Sequence, residues 1–264
     1  MSVSLAVDHT HLSGPLDVIG DVHACLDELT DLFRALGYRE DPDAGWQSPD
    51  GRLPVFVGDL VDRGPANVGT LALVMRMVGA GTALCVPGNH DLQLERHLAS
   101  GDAPLVYGLA ETVTELNAAS EAFRRDVLTF FQRLPGHLVF DGGRFVVAHT
   151  GLPTSLHGDT TARTRRLAAY GVAEGEMDPN DPEKRHPWVA DHKGPVVVYG
   201  HTPVLEPVWR NDSIDIDTGC VFGWRLTALR WPERTLVSVP ARRVYARRHR
   251  PFLPSEIAAA AHAR

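Results

Sequence analysis

Two carboxylates and an arginine lie close together in the sequence GDLVDRG at residues 58–64. The preceding residues, 53–57, are apolar and partly β-branched, which predicts a short buried strand. Like-charged carboxylates at the end of such a strand are costly unless a cation or hydrogen bonds compensate for them. Asp59 and Asp62 therefore indicate a metal ion, and Arg63 beside them indicates an anion.

Polar side chains that can bind metals follow other predicted strands in the same way. Because ligands of α/β proteins bind beyond the carboxyl ends of the strands, we expect these groups to converge. Taken singly, each histidine is more typical of a structural role, and the asparagine of a turn. Their joint position at strand ends indicates a site. They are Asp21, His23, Asn89, His90, His149 and His201.

Carboxylate, imidazole and amide ligands suit divalent ions, with Mn²⁺ as the first expectation and Ni²⁺, Fe or Zn²⁺ as alternatives. No cysteine belongs to the set, which argues against a structural zinc site. Because the donors are more than one ion needs, the sequence favours two ions ~3.5–4 Å apart, with Asp59 as the bridge. A water between the ions would lose a proton near neutral pH and become the nucleophile.

The elements that must position these groups begin with three successive βα units, which indicate the α/β class. Gly79 is expected to end the second helix, and residues 38–52 are predicted to form a loop. In chain order, the predicted strands and helices lie at residues 16–19, 25–36, 53–57, 66–78, 82–86 and 91–97.

The later segments surround these units. Residues 104–134 predict two helices that interrupt the βα rhythm and that we expect to cover the site as a cap. Residues 153–193 are polar and rich in turns, which predicts a long, partly helical excursion. Further strands are predicted at residues 137–140, 144–148, 195–199, 213–216, 226–231 and 235–239.

The composition excludes several classes of protein. The 264 residues are 44% hydrophobic and 22% charged, which is ordinary for a globular chain, and the net charge of −7 does not indicate a general nucleic-acid-binding surface. No apolar run reaches the ~18 residues of a membrane span, and a signal peptide is not expected. Three scattered cysteines are predicted to be small buried hydrophobes, which fits a cytoplasmic protein.

Five short motifs resemble, in order, those of the calcineurin-like metallophosphoesterases, nearest to the branch with the Ser/Thr protein phosphatases. The motifs are GDVH at residues 20–23, GDLVDRG at 58–64, GNHD at 88–91, AH at 148–149 and GHT at 200–202. The resemblance covers about residues 16–219. It implies a metallophosphatase sandwich of two mixed β-sheets flanked by helices, with a helical cap insertion.

The resemblance also implies a role for each residue of the motifs. His90 would protonate the leaving oxygen, Asp62 would orient His90, and Arg63 would bind the phosphoryl oxygens, for which arginine offers two parallel donors. The first ion would be held by Asp21, His23 and Asp59, and the second by Asp59, Asn89, His149 and His201.

Residues 82–91, 199–207 and 214–222 resemble two bacterial groups more closely. One is the phosphatase module of polynucleotide kinase-phosphatase, and the other comprises PrpE-type hydrolases of diadenosine tetraphosphate. Both carry an acid that matches Asp217, which we expect to orient a metal-bound histidine or water; a turn residue is the alternative. Ala24 replaces the family's usual glycine, and the chain lacks the phosphate-binding loop of a kinase module.

The sequence therefore predicts a catalytic domain at residues 14–240, with the cap at 104–134, and a basic tail at 241–264. The expected activity is binuclear metal-dependent hydrolysis of phosphate esters by in-line attack of a metal-bridging hydroxide. The expected substrates are nucleotides or nucleic-acid ends, through phosphatase, 2′,3′-cyclic phosphodiesterase or dinucleoside tetraphosphatase activity. A Ser/Thr protein phosphatase and a non-catalytic partner of RNA-repair proteins are the alternatives.

Arginines of the excursion are candidates to bind a second phosphate of the substrate. Arginine is the default cation of this chain, with 24 arginines against two lysines, so solvated surface residues are the alternative interpretation. The candidates are Arg185, Arg163, Arg165 and Arg166.

Overall fold

Two mixed β-sheets face each other across an apolar core in the computed structural model, which describes residues 6–171 and 187–248. One sheet has six strands in the order β1-β7-β8-β9-β11-β10, and the other has five in the order β13-β12-β2-β5-β6. The strands are β1 (Asp8–His9), β2 (Leu16–Ile19), β3 (Arg39–Asp41), β4 (Gly45–Gln47), β5 (Leu53–Phe56), β6 (Leu84–Cys85), β7 (His137–Phe140), β8 (Phe145–Ala148), β9 (Val196–Tyr199), β10 (Trp209–Arg210), β11 (Ser213–Asp215), β12 (Arg225–Trp231) and β13 (Thr235–Pro240).

Apolar side chains from the inner faces of both sheets fill the space between them. Val18 and Val55 of the five-stranded sheet join Phe140 and Phe145 of the six-stranded sheet in one buried cluster. Phe145 also stacks on Trp231, with ring centroids 4.4 Å apart. Burial of this kind is worth about 25 cal/mol per Å² of apolar surface, so this interface is a main source of stability.

Six α-helices within the described residues flank the sheets, which confirms the predicted sandwich architecture. Helix α1 packs on β12 and β13 because Leu29, Leu32 and Phe33 lie on one face of the helix and are fully buried. The helices are α1 (Leu26–Ala35), α2 (Asn67–Ala80), α3 (Asn89–Ser100), α4 (Leu109–Ala118), α5 (Glu121–Arg133) and α6 (Ala162–Tyr170). None of the helices in the described ranges is long and apolar enough to cross a membrane.

Each sheet contains a set of three neighbouring parallel strands. In one sheet β2, β5 and β6 run parallel, and in the other β8, β9 and β11 do so. The loops that follow these strands carry the polar groups predicted to converge. The topology therefore brings both sets of groups to one edge of the sandwich.

Two local predictions were wrong. Residues 38–52 are not only a loop, because β3 and β4 pair there and Trp46 stacks on Phe33 with ring centroids 5.6 Å apart. Helix α2 continues through Gly79 to Ala80 and ends at Gly81, whose φ of 73° is left-handed. The buried contact of Trp46 with Phe33 favours the β3–β4 hairpin in spite of the Asp, Pro and Gly residues nearby. Helix α2 ends at Gly81 and not at Gly79, because Gly81 takes the left-handed conformation that ends a helix.

The first part of the basic tail packs on helix α1. Arg242 forms ion pairs with Asp27 (2.7 Å) and Asp31 (2.8 Å), and the Tyr245 hydroxyl donates a hydrogen bond to Glu28 (2.7 Å). Arg242 is therefore engaged with the body of the protein. Residues 249–264 lie outside the described part of the chain.

His137 on β7 provides a test of stability against pH. The Gly158 N–H donates to His137 Nε2 (2.8 Å), and burial, followed by the charge of His157, lowers the pKa of His137 to about 4. In the unfolded chain the His137 ring binds a proton near pH 6.5, whereas in the folded protein it does so only near pH 4. The stability that the neutral ring contributes is therefore present at neutral pH and is lost as the pH drops from about 6.5 to 4. We expect the free energy of unfolding to fall by about 2 kcal/mol from this residue.

Urea unfolding between pH 7 and about pH 4.5 measures this effect. His137→Gln keeps an acceptor for Gly158 and should show a weaker dependence of stability on pH than the wild type. The exposed His11→Gln serves as the matched control. An equal dependence on pH in the wild type and His137→Gln would contradict the assignment.

Candidate active site

The loops that follow β5 and β2 hold their side chains in uncommon backbone conformations. Asp59, Asp62 and Arg63 have φ values of 48°, 73° and 71°, and His23 and Ala24 have φ values of 44° and 56°. Ala24 thus adopts a left-handed conformation that glycine takes more readily than alanine. Strain concentrated in this way is typical of functional sites.

His23, Asp59 and His90 form the first of two groups of potential ligands at this edge of the sandwich. One ligand atom of each lies within 4.8 Å of the others. His23 Nδ1 donates to the Val61 carbonyl oxygen (2.8 Å), so in the neutral ring Nε2 carries the lone pair, 3.4 Å from Asp59 Oδ2. Burial, followed by the charge of Arg63, lowers the pKa of His23, which favours the neutral imidazole that a metal requires.

Asp59, His149 and His201 form the second ligand group, again with one atom of each within 4.8 Å. His149 Nδ1 donates to the Val57 carbonyl oxygen (3.0 Å), and its Nε2 lies 3.5 Å from Asp59 Oδ1 and 3.2 Å from Asn89 Oδ1. His201 Nδ1 is 2.8 Å from the same Asn89 oxygen. Asp59 belongs to both groups and faces each with a different carboxylate oxygen, which is the arrangement of a bridging ligand.

Asp21 brings a further carboxylate to this edge, although it belongs to neither group. Its Oδ2 accepts a hydrogen bond from the His201 N–H (3.0 Å), whereas its buried Oδ1 has no hydrogen-bond partner. Burial, followed by the charges of Asp217, Asp59 and Asp215, raises the pKa of Asp21 well above its usual range. A cation would compensate for this crowded carboxylate.

The donor atoms fit two divalent ions. Burial raises the pKa of Asp59, but the positive charges that His149, His90, His23 and His201 carry when protonated lower it below its usual range, which favours the ionised carboxylate. Neutral imidazoles, an amide oxygen and ionised carboxylates are the ligands that Mn²⁺ and similar ions accept.

The His90 ring is held by Asp62. His90 Nδ1 donates to Asp62 Oδ2 (2.6 Å), and both side chains are buried. The other carboxylate oxygen, Asp62 Oδ1, accepts from the Thr112 hydroxyl (2.5 Å), and the Asp62 N–H donates to Asn67 Oδ1 (2.8 Å). Both carboxylate oxygens of Asp62 are therefore held by hydrogen bonds, and through them the His90 ring is kept in one orientation.

Helix α4 of the predicted cap supports this dyad, a role that the sequence did not suggest. Thr112 lies on α4, and Glu115 one turn later accepts hydrogen bonds from the Asn67 and Val68 N–H groups (both 2.9 Å). Helices α4 and α5 form within residues 104–134 as predicted. These contacts show that α4 helps to hold the loop that carries Asp62.

Arg63 is half-buried beside the ligands. Its Nη1 donates to His23 Nε2 (2.9 Å), and its guanidinium lies over the Phe222 ring, 5.4 Å from the centroid. Cation–π contact with Phe222 limits the positions that the guanidinium can take. Phe222 was not predicted, because its turn is far from residue 63 in the sequence.

Asp217 is buried near Asp21 and makes the contacts of a turn residue. Its Oδ1 accepts from the Gly219 N–H (2.9 Å), and its own N–H donates to Asp215 Oδ1 (2.9 Å). Burial raises the pKa of Asp217 to about 7, and the nearby charge of Asp59 adds to this rise. The structure thus places Asp217 beside the ligands without a hydrogen bond to any of the predicted ligands.

The arginines of the excursion differ in their surroundings. Arg165 forms an ion pair with Glu95 (2.8 Å) and also donates to the carbonyl oxygens of Phe131 and Leu134, so it holds α6 against its neighbours. Arg166 is exposed and lies over the Tyr170 ring, 5.5 Å from the centroid. Arg163 is exposed as well, and Arg185 lies outside the described residues.

Asp91 connects two of the ligand-bearing loops and was missed as a functional residue. Its Oδ1 accepts from the Leu60 N–H (3.0 Å), and its Oδ2 accepts from the Gly88 N–H (2.9 Å). These bonds fix the loop that carries Asp59 against the loop that carries Asn89. In the sequence, only the position of Asp91 within the GNHD motif could have indicated this role.

Gly88 allows the closest approach within the site. A Cβ atom at this position would lie 2.1 Å from Asp59 Oδ1 and 2.4 Å from the Asp59 backbone nitrogen. Because a displacement of about 1 Å can cost a hundredfold in rate, we expect Gly88→Ala to lower kcat of metal-dependent phosphatase activity about 100-fold. Gly79→Ala, at a glycine of α2 with open space around it, should keep full activity, and equal rates for both variants would contradict the geometry.

The sequence model of the calcineurin-like phosphoesterases matches residues 14–231 of the chain. The chain belongs to this family. It is therefore a hydrolase of phosphate esters, as predicted, and metal binding is a property of the family. The match spans every loop that contributes to the two ligand groups.

Bacterial relatives agree with this family, and a solved structure shares the fold. A protein of Anoxybacillus flavithermus named asymmetrical bis(5′-nucleosyl)-tetraphosphatase PrpE is 39% identical over 242 residues, which are 89% of this phosphoesterase and 98% of the relative. A relative of the same name from Halalkalibacterium halodurans is 43% identical over 231 residues, which are 86% and 94% of the two chains. A Ser/Thr phosphatase of Saccharomyces cerevisiae, 17% identical, shares the fold with a TM-score of 0.59 over 94% of this chain and 85% of its own.

Proposed function

We propose that this phosphoesterase hydrolyses dinucleoside tetraphosphates asymmetrically, to a mononucleotide and a nucleoside triphosphate. The observation that carries the proposal is the position of Asp59, which faces His23 with one oxygen and His149 with the other. The names of the relatives, which align over nearly their whole length, support the choice of nucleotides among phosphate esters.

The donor atoms at this edge and the motifs of the family support a ligand set for two ions. Asp21, His23 and Asp59 would hold one ion, and Asp59 would share the second with Asn89, His149 and His201. We propose Mn²⁺ for both positions, since the donors lack thiolates. Such ions, when bound, neutralise phosphoryl charge and activate water near neutral pH.

His90 would act on the leaving group. Its Nδ1–H is bound to Asp62, so Nε2 is the atom that can transfer a proton to the leaving oxygen as the phosphorus–oxygen bond breaks. The new bond forms between phosphorus and the oxygen of the attacking water. Asp62 stabilises the imidazolium before transfer, and Thr112 keeps Asp62 in place.

Arg63 would bind the phosphoryl oxygens that carry the most charge in the transition state. The Arg63 side chain is half-buried, and its guanidinium packs on the Phe222 ring. Little conformational entropy is therefore lost when the guanidinium binds the transition state. His23 Nε2, which now accepts from Arg63, is also the proposed metal ligand. The guanidinium would therefore donate to phosphate oxygens in the loaded enzyme.

The remaining sequence predictions stand as parts of this proposal. Residues 14–240 would be the catalytic domain, 104–134 the cap and 241–264 a basic tail. Arg166 and Arg185 would contact the phosphates distal to the reacting one, and Asp217 would orient a metal-bound histidine or water. The cysteines of the described ranges are free and buried, which fits the reducing cytoplasm.

A panel of three substrates under Mn²⁺ tests the proposed function. We expect kcat/KM for diadenosine tetraphosphate to exceed that for an RNA 2′,3′-cyclic phosphate and for a phosphopeptide by at least about tenfold. Chromatography should show AMP and ATP as products. A preference for the RNA would indicate an end-repair enzyme with RNA-repair partners, a preference for the phosphopeptide a protein phosphatase, and no turnover a non-catalytic module.

A further inference from the structure

Cys25, Glu28 and Cys220 form a cluster outside the two groups at the candidate active site. One ligand atom of each, two thiol sulfurs and a carboxylate oxygen, lies within 4.8 Å of the others, and all three residues are buried. Cys25 directly precedes helix α1, Glu28 lies in the first turn of this helix, and Cys220 begins the turn Cys220–Phe222. None of the three has a place in the proposed hydrolysis. We name these residues the thiol cluster.

The Glu28 carboxylate is only partly satisfied by the protein. Its Oε1 accepts hydrogen bonds from the Arg242 N–H (2.8 Å) and the Tyr245 hydroxyl (2.7 Å), whereas its buried Oε2 has no hydrogen-bond partner. Both donors are uncharged groups, and the Arg242 guanidinium pairs instead with Asp27 and Asp31. A buried carboxylate with an unpartnered oxygen is costly, and a cation beside it would compensate for this cost.

The donors of the thiol cluster suit a different ion from those of the active site. Thiolates are soft ligands, and Zn²⁺ accepts them together with a carboxylate oxygen. Around a tetrahedral zinc ion such donors lie ~3.6–3.8 Å apart, so the atoms of the cluster are already near the required spacing. A disulfide would use the two sulfurs and leave Glu28 uncompensated, whereas a metal ion uses all three groups.

We propose that the thiol cluster binds a zinc ion through the sulfurs of Cys25 and Cys220 and a carboxylate oxygen of Glu28. The two thiol protons would leave to solvent as the ion binds. Glu28 also lines a cleft of about 410 Å³, together with Pro65 and Tyr245, which offers an approach for the ion from this side. A water would fill the fourth position of the ion.

The ion would have a structural role, because it joins two turns that support the candidate active site. Cys25 lies two residues after His23, one of the proposed ligands. Cys220 lies two residues before Phe222, whose ring packs on the Arg63 guanidinium. Zinc in the thiol cluster would therefore fix both turns without contact with the substrate.

Cobalt binding detects this site separately from the active site. Full-length protein, reduced and freed of metals with a chelator, is titrated anaerobically with Co²⁺ at one pH. Thiolate–Co²⁺ bonds give a near-ultraviolet charge-transfer absorption, and none of the ligands proposed at the active site is a thiolate. We expect the wild type to develop this absorption and to lose it when Zn²⁺, which such ligands bind more tightly than Co²⁺, is added.

Three variants assign the absorption to the thiol cluster. Cys220→Ala removes one of the two sulfurs and should abolish the absorption. Glu28→Gln keeps an oxygen that can accept from Arg242 and Tyr245, and it should raise the Co²⁺ dissociation constant at least about tenfold, because even the partners of metal ligands contribute about 10- to 100-fold. Cys85→Ala, at a buried free cysteine outside the cluster, should match the wild type.

Three outcomes would overturn the zinc site. No charge-transfer absorption in the wild type would show that Cys25 and Cys220 are only buried thiols. An unchanged absorption in Cys220→Ala, or an equal loss in Cys85→Ala, would place the thiolate ligand elsewhere. If Cys220→Ala does not fold, Glu28→Gln decides, since an unchanged Co²⁺ affinity in that variant would exclude the carboxylate. None of these measurements depends on hydrolysis, so they are independent of the proposed function.

Discussion

Replacing Asp59 by asparagine is expected to lower kcat by at least about a thousandfold with every phosphate substrate. Asp59 is the residue common to both ligand groups, and an amide can present only one oxygen to the two positions. Loss of the proposed bridge would remove several kcal/mol of charge stabilisation from the transition state, and about 4 kcal/mol corresponds to a thousandfold. Initial rates under saturating Mn²⁺ measure this effect.

Thermal unfolding with and without Mn²⁺ shows whether Asp59→Asn acts through the ions. A ligand that binds the native state raises the Tm, so the wild type should be stabilised by Mn²⁺ and Asp59→Asn should not. Asp17→Asn is the matched control, because Asp17 is also fully buried on β2 but pairs with Arg52 (2.8 Å) at a distance from the ligands. This control should lose stability and keep its response to Mn²⁺; an unchanged Mn²⁺ response in Asp59→Asn would contradict the bridging role.

Replacing His90 by glutamine is expected to slow hydrolysis according to the leaving group. General acid catalysis contributes about 10²- to 10⁴-fold when the leaving oxygen is basic and little when it is not. We therefore expect a loss in this range with phenyl phosphate and a loss below about tenfold with 2,4-dinitrophenyl phosphate. The dependence of kcat/KM on leaving-group basicity across a series of aryl phosphates gives the measurement.

Two further variants complete this test. His97→Gln lies on the same helix, two turns beyond His90, and should leave the leaving-group dependence unchanged. Asp62→Asn should reproduce the His90→Gln pattern, and the double variant should be no slower than the single ones, because the two residues act as a unit. An equal loss on both aryl phosphates would remove the acid role of His90.

The sequence predicts where the candidate ligands emerge from the sheets, because this depends on local signals. Short apolar strands that end in polar turns fix where Asp21, Asp59 and Asn89 emerge from the sheet. The parallel order of β2, β5 and β6 then brings those three turns together. The convergence of His149 and His201 with Asp59 follows from the second set of parallel strands, β8, β9 and β11.

Contacts between distant segments could not be predicted in this way. Thr112 reaches Asp62 across 50 positions, and Phe222 meets Arg63 from a turn near the end of the chain. Neither residue type carries a sequence signal for such a contact. For Arg165 a sequence signal existed but was misleading. Its charge suggested a contact with a substrate phosphate, whereas in the structure it forms an ion pair with Glu95.

Anomalous diffraction from crystals grown with Mn²⁺ tests the central claim most directly. The site predicts two manganese peaks ~3.5–4 Å apart. One should be bound by His23 and the other by His149 and His201, with an oxygen of Asp59 bound to each. A single peak, or two peaks of which only one is bound by Asp59, would contradict the bridged two-ion site.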